Sequence, residues 1–156
     1  MDEQREHHKA YIFGNIFLFS NKLQNLGNRL FKEITMKQWL LLIAIIQSGI
    51  HNPTLTDVAN MMGYTRQNVK KLALLLEGKG FIQFQKDLKD SRVLRLVITE
   101  KCYAYFENRL DKEEEFMEKL YEGITDEEMA HMFLGMKKLE KNLLNLEGKG
   151  EWDERE

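Results

Sequence analysis

Apolar residues recur at helical spacing in three long stretches of the chain. In the first, Ile12, Ile16, Phe19, Leu23, Leu26 and Leu30 step by 4, 3, 4, 3 and 4. Near the other end, Met129, Met132, Met136, Leu139, Leu143 and Leu146 step by 3, 4, 3, 4 and 3. Tyr103, Phe106, Leu110, Met117, Leu120 and Ile124 keep the same rhythm between them, with Glu113 in the one vacant slot. A spacing of about 3.5 residues lines apolar side chains along one face, so the pattern predicts three long helices that each need a partner. Phe13, Phe17, Phe31, Phe133, Leu134 and Leu144 widen these stripes beyond a two-stranded seam. An intramolecular bundle is one way to cover them. The width of the terminal faces exceeds what a small central domain can cover and favours a dimer interface built from both ends.

Helix starts are marked by threonine. Thr35-Met-Lys-Gln38 and Thr125-Asp-Glu-Glu128 read as capping boxes, in which side-chain oxygens satisfy free backbone N–H groups. Thr54, Thr65 and Thr99 stand where three more helices should begin. Pro53 closes the loop Gly49–Asn52 ahead of the Thr54 helix. Leu-Glu-Gly-Lys-Gly, at 76–80 and again at 146–150, reads as a helix stop in both copies.

Between Thr54 and Gly80 the pattern is a short helix, a tight turn and a second helix. Leu55, Val58, Ala59 and Met62 give the first its apolar face, Gly63-Tyr64 the turn, and Val69, Leu72, Ala73 and Leu76 anchor the second. This is a helix-turn-helix arrangement, with Ala59 small enough for close approach. The outward residues at the start of the second helix are Thr65, Arg66, Gln67, Asn68, Lys70 and Lys71, uninterrupted by any acid. Such donors and acceptors read base edges and hold phosphates. Next, 81–87 and 93–99 alternate apolar and polar as two strands of a hairpin, joined by the polar, basic loop Leu88-Lys-Asp-Ser-Arg92. A wing of this kind can lay an arginine in a narrow minor groove. Asp90 stands where it can brace Arg92 with a bidentate pair.

Composition changes this picture once it is resolved along the chain. The 156 residues carry 23 Lys and Arg against 25 Asp and Glu, a formal charge of −2 that argues against a nucleic-acid partner. Residues 1–63 hold 6 basic and 5 acidic side chains, 64–101 hold 9 and 4, and 102–156 hold 8 and 16. The net values are therefore +1, +5 and −8. The positive charge falls on the helix-turn-helix and wing, and the negative charge on the helical scaffold, where it would keep that scaffold off DNA.

Other chemistry is thinly represented. The single Cys102 excludes an intramolecular disulfide, fits a reducing compartment and reads as a structural thiol. His7 and His8 lie in a terminus expected to fray, and His51 and His131 stand alone. With no His-x-x-x-His or Cys-x-x-Cys pair, no metal or other cofactor is expected. No phosphate loop, nucleophile elbow or paired-carboxylate setting points to an enzyme. The longest apolar run, Trp39 to Ile46, is far short of a membrane span, and no signal peptide is legible. A cytoplasmic, non-membrane protein is expected.

With long helix, helix, helix-turn-helix, wing and two long C-terminal helices in that order, the chain resembles the MarR (multiple antibiotic resistance regulator) family. The resemblance runs over roughly residues 8–148. It is most specific from Thr54 to Thr99, where Leu76-Glu-Gly-Lys-Gly-Phe-Ile82 is similar to the family's helix-to-wing junction and Asp90-x-Arg92 to its wing signature. Two positions depart from it: Phe84 stands where a basic residue is common, and Glu100-Lys-Cys102 lacks a usual glycine. With Phe84 there, Lys86 and Lys89 remain as nearby phosphate ligands.

The resemblance implies a mainly α fold with a small β-hairpin wing. Helical dimerisation regions at 1–34 and 100–156 would flank a winged helix-turn-helix at 35–99. It implies a homodimer acting as a transcriptional regulator, a ligand-responsive repressor, on a pseudo-palindromic operator. Recognition helix 65–77 would enter the major groove and wing 86–93 the minor groove, with Arg92 inserted and Asp90 as its brace. It also suggests a small aromatic or amphipathic effector held between dimer helices and DNA-binding lobe, with Tyr11, Phe17, Met36 and Trp39 as candidate lining residues. The competing expectation is a winged helix that binds a protein partner and not DNA.

Overall fold

A computed structural model describes residues 2–149. The elements are α1 (Asp2–Leu30), α2 (Met36–Gln47), α3 (Leu55–Met62), α4 (Arg66–Gly78), β1 (Ile82–Lys86), β2 (Leu94–Ile98), α5 (Glu100–Glu107), α6 (Leu110–Leu120) and α7 (Asp126–Lys149). The fold is mainly α with one antiparallel hairpin. Packing divides the chain into two compact units, Met1–Asn108 and the part from Arg109 onward.

Within the first unit, the elements from α2 to β2 enclose one core. Leu41, Leu42, Leu55, Val58, Val69, Leu76, Phe81, Ile82 and Leu96 are fully buried in it, together with Ile34 and Cys102. The helix starts behave as their threonines predict. Thr35 and Thr54 form capping boxes with Gln38 and Asp57, and Thr65 and Thr99 accept from the amides of Asn68 and Cys102. Gly63 takes a left-handed φ of 62°, the conformation that lets α3 stop and α4 start within a three-residue turn.

The helix α1 meets α2 at Gly27. A Cβ on that residue would lie 2.2 Å from Met36 Sδ and 2.4 Å from Met36 Cγ, so any larger residue would force the Met36 side chain to move. In β1 and β2, Ile82 opposes Ile98 and Lys86 opposes Leu94, which brings the polar loop 87–93 to the tip. Phe84 packs against the core, and its amide donates to Glu77 Oε1 at 3.2 Å. That packing explains an apolar residue where a basic one was expected.

In the second unit, Thr125 and Glu128 form the predicted capping interactions at the start of α7. The side chain of Arg109 pairs with Glu113 at 3.0 Å on the first turn of α6.

Two expectations from the sequence change. The middle periodic stretch is two helices, α5 and α6, separated at Asn108 and Arg109. Cys102, Tyr105 and Phe106 face the core, at the i, i+3, i+4 spacing, while Tyr103 of the supposed stripe is exposed. Neither glycine nor proline marks the break, so the pattern could not reveal it. The second Leu-Glu-Gly-Lys copy ends α7, which runs to Lys149, while its last glycine, Gly150, lies outside the described residues. His7 and His8 lie within α1 and not in a frayed end.

Candidate nucleic-acid interface

The second helix of the helix-turn-helix, α4, is held by one face. Val69, Ala73 and Leu76 are fully buried, which turns Arg66, Gln67, Asn68, Lys70 and Lys71 to solvent. Five adjacent outward positions therefore carry three cations and two amides with no carboxylate, a surface matched to phosphates and base edges. Thr65 sits at the N-cap, where its hydroxyl oxygen accepts from Asn68 N–H at 3.2 Å. Its side chain secures the helix start and is itself exposed beside Arg66. The first turn carries no acidic residue, so the helix N-terminus keeps its partial positive charge for an anion.

The wing is braced at two levels. At the tip, Arg92 Nε and Nη2 donate to Asp90 Oδ1 and Oδ2, each at 3.0 Å, in the bidentate pairing the sequence predicts. The amide of Arg92 donates to the same carboxylate. Arg92 nevertheless remains 88% exposed. An exposed pair contributes little to stability, but it fixes the direction of the guanidinium. The Arg92 side-chain bond, followed by its amide, lowers the Asp90 pKa, and Asp90 in turn raises that of Arg92.

Below the tip lies a second brace, made by residues that the sequence analysis did not single out. Asp87 accepts from the amides of Asp90 and Lys89 and from Arg95 Nε, and these bonds hold its pKa at about 2, against the usual 3.8. Arg95 also donates from Nη1 to the Asn52 carbonyl at 3.0 Å. The Leu96 amide donates to the Pro53 carbonyl at 2.9 Å. The hairpin is thereby tied to the loop that precedes α3. Asn52 adopts φ 52°, a region that asparagine tolerates better than most residues. An Asn-Pro step before a capped helix, and a charged residue on a strand next to the core, were the available signals.

Lys86 and Lys89 are exposed at the wing. With His51, Gln85 and Arg95 they line an open concavity of about 550 Å³ at its base. Thus Arg66, Gln67, Asn68, Lys70 and Lys71 share one helix face, and Lys86, Lys89, Asp90 and Arg92 share the wing.

The four candidate effector residues are not gathered in one chain. Met36 and Trp39 lie on α2, Met36 against Gly27 and Trp39 against the core. Tyr11 and Phe17 are each 59% exposed on α1. Tyr11 is sixteen residues from Gly27, about 24 Å along a helix. Cys102 is fully buried, and burial pushes its thiol up to about 11. A thiol so disfavoured as thiolate is a packing residue. Among the described residues no group of three or more His, Cys, Asp or Glu is placed to hold a metal ion, and no helix is long and apolar enough to cross a membrane.

The MarR family model matches residues 34–94, from the end of the α1–α2 loop to the first residue of β2. The match covers 61 of the 156 residues. Among solved structures the chain is similar to a MarR protein from Peptoclostridium difficile, at 22% identity and a TM-score of 0.76, over 86% of this chain and 88% of that one. It is similar also to the organohalide-sensing transcriptional regulator RdhR in its 2,4-dichlorophenol bound form, at 20% identity and a TM-score of 0.75, over 90% and 84%. A third likeness is to MepR from S. aureus, in a complex with DNA, at 20% identity and a TM-score of 0.68, over 86% and 95%. These likenesses show a shared fold over most of each chain. No curated protein matches the sequence.

Proposed function

We propose that this protein is a DNA-binding transcriptional regulator, not an enzyme, that acts as a homodimer on a pseudo-palindromic operator. The observation that carries this reading is the acid-free outward face of α4, Arg66 to Lys71, in the same compact unit as the braced Arg92 of the wing. In this reading α4 enters the major groove. Arg66, Lys70 and Lys71 hold phosphates and bases, while Gln67 and Asn68 read base edges. The wing lies along the minor groove with Arg92 inserted and Lys86 and Lys89 on the backbone. The family match, and the DNA complex of MepR, support it. Such a role places the protein with the DNA in the cytoplasm.

Two copies would present two recognition helices about 34–36 Å apart, one turn of the duplex. The supporting observation is the apolar surface left open on α1 and on α7, with Phe13 68% and Leu144 64% exposed. In this arrangement, 1–34 and 100–156 serve dimerisation and 35–99 serves DNA. Repression relieved by an effector fits the same design, because a ligand that prefers one spacing of the lobes lowers operator affinity by its differential affinity. RdhR is known with 2,4-dichlorophenol bound. For this chain, a site using Tyr11, Phe17, Met36 and Trp39 would need the second copy to bring them together.

Duplex binding measured against salt tests the reading. A protein making several phosphate contacts should lose affinity with a log–log slope of about −0.9 per phosphate. Absence of binding to any duplex at low salt would overturn it, and would favour a winged helix that recognises a protein.

A further inference from the structure

The outward face of α4 carries two leucines that phosphate binding does not use, Leu75 and Leu74. Both are half exposed, although Val69, Ala73 and Leu76 already fill the contact with the core, and Leu74 lines up with Gln67. Seven residues separate Leu74 from Gln67, so the two project within about 20° of each other, two turns apart. Lys70 and Lys71 flank the line between them. These residues, with Leu75, border a shallow depression of about 420 Å³ on the helix surface. The cations select a polyanion as the occupant, since no acid appears on α4 before Glu77. An apolar side chain among them needs an apolar group on that polyanion. In a DNA major groove the group available is the 5-methyl of thymine.

We infer that Leu74 is a specificity-determining residue that selects thymine by packing on its methyl group. The inference rests on the DNA-binding reading above and gives it a base-level content.

The probe is a random-sequence duplex pool, from which the wild-type protein and the Leu74→Ala variant each select a consensus. Each thymine of the wild-type consensus is then replaced singly by deoxyuridine, which removes the methyl and keeps every hydrogen-bonding group. Wild-type affinity should fall about fourfold at one thymine in each half-site, as expected for exposing one methyl-sized group. Leu74→Ala should bind thymine and deoxyuridine duplexes equally and should lose the preference for thymine at that position. Leu74 is on the surface, and an unchanged circular dichroism spectrum certifies the fold of the variant.

If the wild type selects a consensus yet is indifferent to deoxyuridine at every thymine, the inference is overturned and DNA binding stands. The same holds if Leu74→Ala keeps the wild-type discrimination. If the wild type selects no duplex at low salt, the DNA-binding reading fails and this inference fails with it.

Discussion

Arg92 and Asp90 show how little an exposed ion pair adds to fold stability. The pair is exposed and solvated, so its electrostatic gain is small. Its geometry is the useful part, because a guanidinium held in one orientation loses less freedom when it enters a groove. Arg92→Ala should leave thermal stability unchanged and weaken operator binding on the order of 10- to 100-fold, as read by fluorescence anisotropy. Asp90→Ala should weaken specific binding by a smaller factor, because the cation remains but is no longer aimed. Equal affinity of Arg92→Ala and wild type would remove the wing from the interface. At this scale the sequence was legible: a two-residue spacing on a tight loop sufficed to place the bidentate pair. Asp87 and Arg95 were not legible, because their link to the Asn52 carbonyl joins positions more than forty residues apart.

At the scale of the element, the wing depends on carboxylates whose protonation can be followed. Asp87 has its pKa lowered to about 2 from 3.8, first by the Asp90 amide and then by Arg95 and the Lys89 amide. A group depressed in the folded state stabilises the wing above its unfolded pKa, and that contribution is lost as pH falls through the folded one. The wing should therefore stay braced at neutral pH and loosen only below about pH 4. The amide resonances of Lys89 and Asp90 should titrate with a midpoint near 2, and Asp87→Asn should abolish that titration. A midpoint near 4 would show that the Asp87 hydrogen bonds do not persist in solution. Helices offer the complementary lesson. Five threonine-marked starts were readable because a cap is a local device satisfied within three residues. The end of α5 was not, since Asn108 is a weaker stop signal than glycine or proline and the face that packs, Cys102, Tyr105 and Phe106, is set by the core.

For the whole molecule, the distribution of charge and apolar surface decides the reading. The chain has a net charge of −2, yet 64–101 carries +5 and 102–156 carries −8. Exposed aromatic and aliphatic side chains on α1 and α7 would be costly in a monomer and ordinary inside an interface. Sedimentation should find a dimer, and Phe13→Glu with Phe17→Glu should produce a monomer. Losing the second recognition helix should cost about 100-fold or more in operator affinity, because the two halves no longer bind as one. A wild type that sediments as a monomer at operator-binding concentrations would leave those faces for another partner.

By itself the sequence determined the fold class, the helix starts, the outward cationic run of α4 and the Asp90–Arg92 pair. Each rests on periodicity, capping or spacing within a few residues. Only the tertiary structure decided which face of α5 packs, that Gly27 seats α1 on Met36, that Phe84 belongs to the core, and that Asp87 and Arg95 tie the wing to Asn52. It also separated the candidate effector residues, placing Tyr11 and Phe17 far along α1 from Met36. Those outcomes depend on contacts between residues distant in the chain, where packing and geometric fit choose among faces that local pattern leaves equivalent.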